Sequence, residues 1–161
     1  LILDAFSTFK KEHSEAVLLL VPRHPERFDK VAKMMEDFAS ENALSMQRYS
    51  QNEDLSSDLV LVDALGELVN MYAISDIVIL GGAFEPIGGH NAAEAAQFGC
   101  KIISGEHYFN QKDIFEAIEG IAIVEANNLS KRLLQYGVLK RTEIKSKSDI
   151  SPIIESLKSV L

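Results

Sequence analysis

Cysteine occurs once in these 161 residues, as Cys100, which excludes an intrachain disulfide and a cysteine-built metal cage. The four histidines, His13, His24, His90 and His107, show no i, i+4 pairing, so their spacing argues against a zinc site. Basic residues are the minority, 16 against 24 acidic, and the net charge of −8 repels polyphosphate. That balance argues against a general nucleic-acid binder while leaving room for a local basic pocket. No stretch approaches the roughly 18 apolar residues of a membrane span. The longest obvious run, Ala16 to Pro22, is strand-sized. No signal peptide is visible. An initiator methionine is absent, and Leu1-Ile2-Leu3-Asp4-Ala5-Phe6 has no strand before it, although a doubly wound domain normally begins on one. The expectation is a piece of a longer protein.

What is present reads as an ordinary soluble globular chain, with 47% hydrophobic and 25% charged residues. Its length suits one domain, or one and a small piece, burying about 70% of its unfolded surface. Leu3, Phe6 and Phe9 have helical spacing. Ala16 to Val21 is a continuous apolar run of the buried parallel-strand kind, ended by Pro22. Pro25 and Glu26 suit a first helical turn, and Phe28, Val31, Ala32, Met35, Phe38 and Ala39 form the apolar face of the helix that follows. Leu44 to Tyr49 reads as a short strand, Ser50 to Asp58 as a loop, and Leu59 to Val62 as the next buried strand. Gly66 to Ser75 reads as a short helix with Leu68, Val69, Tyr72 and Ala73 inward. Strand 77–80, helix 91–98, strand 101–104, a helix near 111–118, strand 121–124 and a helix over 129–136 continue the alternation. Such alternation with near-continuous apolar strands predicts an α/β fold, a Rossmann-like doubly wound parallel sheet covered on both faces. Residues 138–150 turn polar and lysine-rich, a linker in character. Ser151-Pro152 then caps a final amphipathic helix over 151–161, bearing Ile153, Ile154, Leu157, Val160 and Leu161.

The most informative stretch is Gly81-Gly82-Ala83-Phe84-Glu85-Pro86-Ile87-Gly88-Gly89-His90-Asn91-Ala92-Ala93-Glu94, between an apolar strand and a helix-like segment. Its four glycines let the backbone bend sharply and approach a ligand closely. The helix start aims unpaired N–H groups above the strand end, where open parallel sheets bind ligands. Two other strand ends share the pattern of strand, tight turn and helix start: Pro22-Arg23-His24-Pro25 and Asp63-Ala64-Leu65-Gly66-Glu67. In a parallel sheet all three lie on one edge. Arg23 would supply a permanently charged donor fork for a phosphate. Leu65, Gly66 and Glu67 would present backbone groups to a base, while Asn91 and Glu94 would hold ribose hydroxyls. Together they make a nucleoside-monophosphate clamp.

Each element also has a plainer reading. Arg23 serves equally as a surface ion-pair partner. Asp63 and Asn91 stand where helix caps are common. Gly81-Gly82 reads as turn punctuation, His24 and His90 as structural hydrogen-bonders, Glu67 and Glu94 as solvated helix residues. The combination does not by itself choose the nucleotide.

The strings Val21-Pro22-Arg23-His24-Pro25-Glu26-Arg27-Phe28, Asp63-Ala64-Leu65-Gly66-Glu67-Leu68, Gly81-Gly82-Ala83 with Gly88-Gly89-His90-Asn91-Ala92-Ala93-Glu94, and Gly105-Glu106-His107-Tyr108-Phe109-Asn110 occur in order. Together they resemble the C-terminal half of the Kdo transferases of lipid A biosynthesis, over residues 1 to about 125. The resemblance implies a GT-B glycosyltransferase, two Rossmann-like domains with the active site in the cleft between them. Its reaction moves 3-deoxy-D-manno-octulosonic acid (Kdo) from CMP-Kdo onto a lipid A precursor in lipopolysaccharide core biosynthesis. By position, Pro22 and Arg23 resemble the first CMP-contacting motif, Leu65, Gly66 and Glu67 the second, and Asn91, Ala92, Ala93 and Glu94 the third.

The family's general base, acceptor site and membrane anchor belong to an N-terminal domain. The resemblance therefore implies no catalytic residue in these residues, no metal and no cofactor beyond the donor substrate. It implies work at the cytoplasmic face of a Gram-negative inner membrane for the full-length protein, with this part soluble. It also implies a Ser-Thr-His-x-Gly-Glu strand and turn just before Leu1, without which one sheet edge would be unpaired. Ala64 and Ala83 stand where the family usually has hydroxyl residues, and Ala92-Ala93 where a proline-containing pair is usual. Two alternatives stay open: a donor domain of a UDP-sugar GT-B enzyme, and a noncatalytic interaction domain with a vestigial pocket.

Overall fold

Strands and helices alternate through the computed structural model, which describes residues 1–145. The order is α1 (Ile2–Lys10), β1 (Leu18–Leu20), α2 (Phe28–Asn42), β2 (Met46–Arg48), β3 (Leu59–Leu61), α3 (Leu68–Ile74), β4 (Ile77–Leu80), α4 (Ala93–Ala96) and β5 (Lys101–Ser104). Then come α5 (Lys112–Glu116), β6 (Ile118–Glu119), β7 (Ala122–Ile123), α6 (Leu129–Leu134) and β8 (Glu143–Ile144). One parallel sheet has the order β1-β3-β2 and a second the order β4-β5-β7, while β6 and β8 make a small antiparallel pair.

The middle strands are the most buried, because helices cover both of their faces. Leu59 and Leu61 of β3 pack under Val31, Ala32, Met35 and Ala39 of α2, while Val60 and Val62 meet Met71 of α3 on the other face. In the second sheet, Val78, Leu80 and Ile102 pack against Ala95, Ala96 and Phe115 from α4 and α5. Ile103 faces Ala5 and Phe9 of α1 with Leu129 and Leu133 of α6. Helix α1 joins the two halves: Leu3 and Phe6 enter the first sheet's core, Ala5 and Phe9 the second's.

Several expectations need correction. The run at Leu18–Leu20 is half-buried, because β1 is an edge strand of its three-stranded sheet. In α3 the inward residues are Met71 and Tyr72, whereas Leu68, Val69 and Ala73 are exposed. The helix expected over 91–98 is a single turn, closed after Phe98 by Gly99 at φ 64°. The linker expected from residue 138 is not one up to residue 145. Leu139 and Thr142 are buried, the Thr142 hydroxyl donates to the Cys100 carbonyl (2.7 Å), and β8 pairs with β6. The rest of that stretch and the helix expected over 151–161 lie outside the described residues. Among those described, no helix is long and apolar enough to cross a membrane.

Candidate nucleotide-binding site

Because β1 and β3 run parallel, as do β4 and β5, the loops after their last residues leave on one edge of each sheet. Arg23 is exposed directly after β1 and Pro22 is half-buried. The ion pair of the plainer reading is not made: no acidic partner reaches Arg23 among the described residues. The His90 imidazole lies against the backbone of Gly81 and Gly82 after β4, about 3.5 Å from where their side chains would start. Partial burial lowers its pKa first, and the nearby positive charges of Arg23 and His24 lower it further. Arg23 and His24 thus lie within electrostatic range of His90, on a chain that is acidic overall. Sequence reasoning gave His90 only a structural role, and its proximity to Arg23 depends on which strand ends become neighbours.

The third motif is more self-contained than expected. The Asn91 Oδ1 accepts the Ala93 N–H (2.9 Å), and its Nδ2 donates to Glu94 Oε1 (3.2 Å). Asn91 thus closes an Asx turn just ahead of Ala92, which holds the N-cap position of α4, and this N–H is already taken. With only Ala93–Ala96 helical, the dipole of α4 adds little. Ala92 is buried, and Ala93 and Glu94 are half-buried beside the glycine loop.

The glycine loop is held from outside by a residue that the sequence reading quoted only as the end of its fourth string, with no role. Asn110, in the loop after β5, accepts the Gly89 N–H (2.8 Å) and donates to the Gly89 carbonyl (3.1 Å). Gly88 beside it has φ 100°, a conformation that a side chain disfavours. Replacing Asn110 by alanine removes both bonds. A loss of about 1–2 kcal/mol is expected, readable as a lower urea midpoint.

The second motif rests on a buried carboxylate. Asp63 does not cap α3; Glu67 holds the N-cap position, with no side-chain cap bond. Asp63 instead receives Arg48 Nε (2.6 Å), the Ser50 N–H (2.8 Å) and the Ser50 hydroxyl (2.7 Å), while Arg48 also reaches Asp29 (2.9 Å). Burial pushes the Asp63 pKa up, but these donors together bring it below the ordinary carboxylate value. This network fixes the turn from which Leu65 and Gly66 project into solvent, with Gly66 at φ 85°. Glu67 is half-buried and accepts from Asn70 Nδ2 (2.9 Å). Arg48 and Ser50 lie in stretches read only as strand and loop, so nothing local marked them.

No family model matches the chain. It is 37% identical over 136 residues to the 3-deoxy-D-manno-octulosonic acid transferase of Haemophilus influenzae, covering 83% of this chain and 31% of that protein. The enzyme of the same name from Aquifex aeolicus is 33% identical over 153 residues, 92% of this chain and 41% of its own length. The chain thus spans about a third of the length of these relatives. Among solved structures, the C-terminal CMP-Kdo binding domain of WaaA from Acinetobacter baumannii superposes with a TM-score of 0.71 at 29% identity, over 84% of this chain and 72% of that one. By these likenesses the chain belongs to the 3-deoxy-D-manno-octulosonic acid transferase family, with the fold of its C-terminal GT-B domain.

Proposed function

We propose that this chain is the donor-binding domain of a glycosyltransferase that moves Kdo from CMP-Kdo to a lipid A precursor. The observation that carries the reading is the glycine loop after β4, with the His90 imidazole laid against Gly81 and Gly82 and the exposed Arg23 following β1, at edges where parallel strands end. In this reading the CMP phosphate sits by Arg23, the base lies along Leu65, Gly66 and Glu67, and the ribose meets Asn91 and Glu94. Pro22, Ala92 and Ala93 shape the walls. The sugar then projects away from the domain, and Arg23 offsets the charge that builds on the departing phosphate. The acceptor hydroxyl needs a base from another domain. These residues by themselves would bind donor and turn nothing over. The acceptor, and work at the cytoplasmic face of the inner membrane, belong to the full-length protein in the same proposal.

Calorimetric titration with CMP, UMP and UDP tests it. CMP should bind best, and Arg23→Ala should weaken it tenfold to a hundredfold, the range for a hydrogen bond to a charged group. Glu94→Ala should weaken it roughly tenfold, since it also frees Asn91 Nδ2. Preference for UDP would move the chain to the UDP-sugar enzymes. Absence of nucleotide binding in the full-length protein would sink the donor-site assignment.

A further inference from the structure

None of the residues proposed to meet the nucleotide lies in Gly105 to Asn110, yet this segment touches both limbs of the glycine loop. Strands β4 and β5 pair in parallel with Leu80 opposite Ser104, so the loops that follow them leave side by side. On the outgoing limb, the His107 N–H donates to the Ala83 carbonyl (2.9 Å), and Gly105 lies so close to that carbonyl that a Cβ would overlap it. On the returning limb, Tyr108 packs on Gly89, where an added Cβ would lie 3.1 Å from the Tyr108 Cβ. Asn110 then occupies both polar groups of Gly89, its Oδ1 accepting the N–H (2.8 Å) and its Nδ2 donating to the carbonyl (3.1 Å). Tyr108 is itself stacked on Phe115 of α5, with ring centroids 4.4 Å apart, which anchors the segment to the second sheet's core.

Such a brace has a physical reason. Gly88 and Gly89 have no side chains to hold them, and adjacent glycines lose the most conformational freedom on ordering. They stand immediately before His90, Asn91 and the start of α4, so their conformation aims everything that follows. Gly88 has φ 100°, and its carbonyl packs directly on Gly82, where the two limbs of the loop meet. We propose that Asn110 is a positioning residue of the donor site, an inference that rests on the donor-binding reading. It fixes Gly88 and Gly89 so that Asn91 and Glu94 face the ribose before the nucleotide arrives. Asn110 need not touch the nucleotide, because it acts through the Gly89 main chain. Without the clamp the glycine pair spreads over other conformations, and the apparent affinity falls with the fraction that stays competent.

Calorimetric titration of the full-length protein with CMP, unsubstituted and as Asn110→Ala and Asn110→Leu, tests the role. Asn110→Leu keeps a similar volume, adds no charge and loses both bonds. Each substitution should weaken CMP by roughly fivefold to thirtyfold, the population factor for losing one or two hydrogen bonds. Thr142→Val is the control for stability alone. It removes the hydroxyl bond to the Cys100 carbonyl (2.7 Å), at the opposite end of β5 from the glycine loop. It should lower the urea midpoint and leave CMP affinity unchanged. Without ligand, amide hydrogen exchange of the segment spanning Gly88 and Gly89 should quicken in Asn110→Ala by a factor similar to the affinity loss. Native CMP affinity in both Asn110 variants would overturn the positioning role and leave the donor-site reading standing. So would an equal loss of affinity in Thr142→Val, which would trace the effect to stability. Absence of CMP binding by the unsubstituted protein would overturn the donor-site reading, and this role with it.

Discussion

Asp63→Ala should lower the stability of this chain by about 3 kcal/mol, the scale of breaking a buried ion pair from one side. At an ordinary urea slope that moves the unfolding midpoint by about 1–2 M. The Asp63 side chain is 1% exposed, and its removal strands three donors: Arg48 Nε, the Ser50 N–H and the Ser50 hydroxyl. Arg48 keeps Asp29 and some solvent, which holds the cost toward the low end of the range. Asp63→Asn should recover little, because its amide NH2 would face at least one of these donors.

The pH dependence has a definite sign. Donors hold the Asp63 pKa below its ordinary value, so its contribution is complete above about pH 4, the unfolded range. It is lost as pH falls through the lower folded value. Asp58 behaves alike: chiefly the Lys10 ammonium, then the Ser45 N–H and hydroxyl, hold it at about 2. Native protein should therefore lose stability between about pH 4 and pH 2, and Asp63→Ala should flatten part of that slope. A slope unchanged by the substitution would mean that the network contributes nothing.

Gly105→Ala should be comparably severe for a different reason. A methyl group there would fall on the main-chain carbonyl of Ala83 and crowd the Phe84 nitrogen. Backbone cannot rotate away as a side chain can, so the loop after β4 must move. That movement would also strain the hydrogen bond from the His107 N–H to the Ala83 carbonyl (2.9 Å). A loss of about 3 kcal/mol is expected, at the upper end of overpacking effects. CMP binding should fall further than stability does, since the displaced segment leads directly into the glycine loop. Gly137→Ala is the control: its added methyl meets nothing within 4 Å. It should change the urea midpoint by an amount equivalent to about 0.5 kcal/mol or less.

Local pattern reached a long way here. The spacing of Val31, Ala32, Met35 and Ala39 defined the buried face of α2, and the apolar run at 59–62 marked β3, because burial on both faces demands continuous apolar residues. The turn sequences after the runs ending at residues 21, 62 and 80 located the three motifs, since glycine, proline and asparagine have local conformational reasons to stand there. The same reasoning failed where burial depends on neighbours. Leu18–Leu20 is as apolar as Leu59–Leu61, yet half-buried, because its place at a sheet edge is not written in its own residues. Leu139 and Thr142 sit in a polar stretch and are buried because Leu139 packs with Ala5, Phe9, Leu129 and Leu133 while Thr142 bonds to the Cys100 carbonyl 42 residues back.

The sequence by itself determined the α/β class, the strand ends on which a nucleotide site could stand, and the family resemblance. Each of these rests on short-range periodicity, turn chemistry or an ordered set of motifs. The tertiary structure decided that Asp63 anchors Arg48 and Ser50 and caps no helix, and that Asn110 clamps Gly89 across 21 residues. Those are contacts between segments distant in the chain. Their partners are set by which strands become neighbours, and hydrogen bonds and charge respond to that proximity in space.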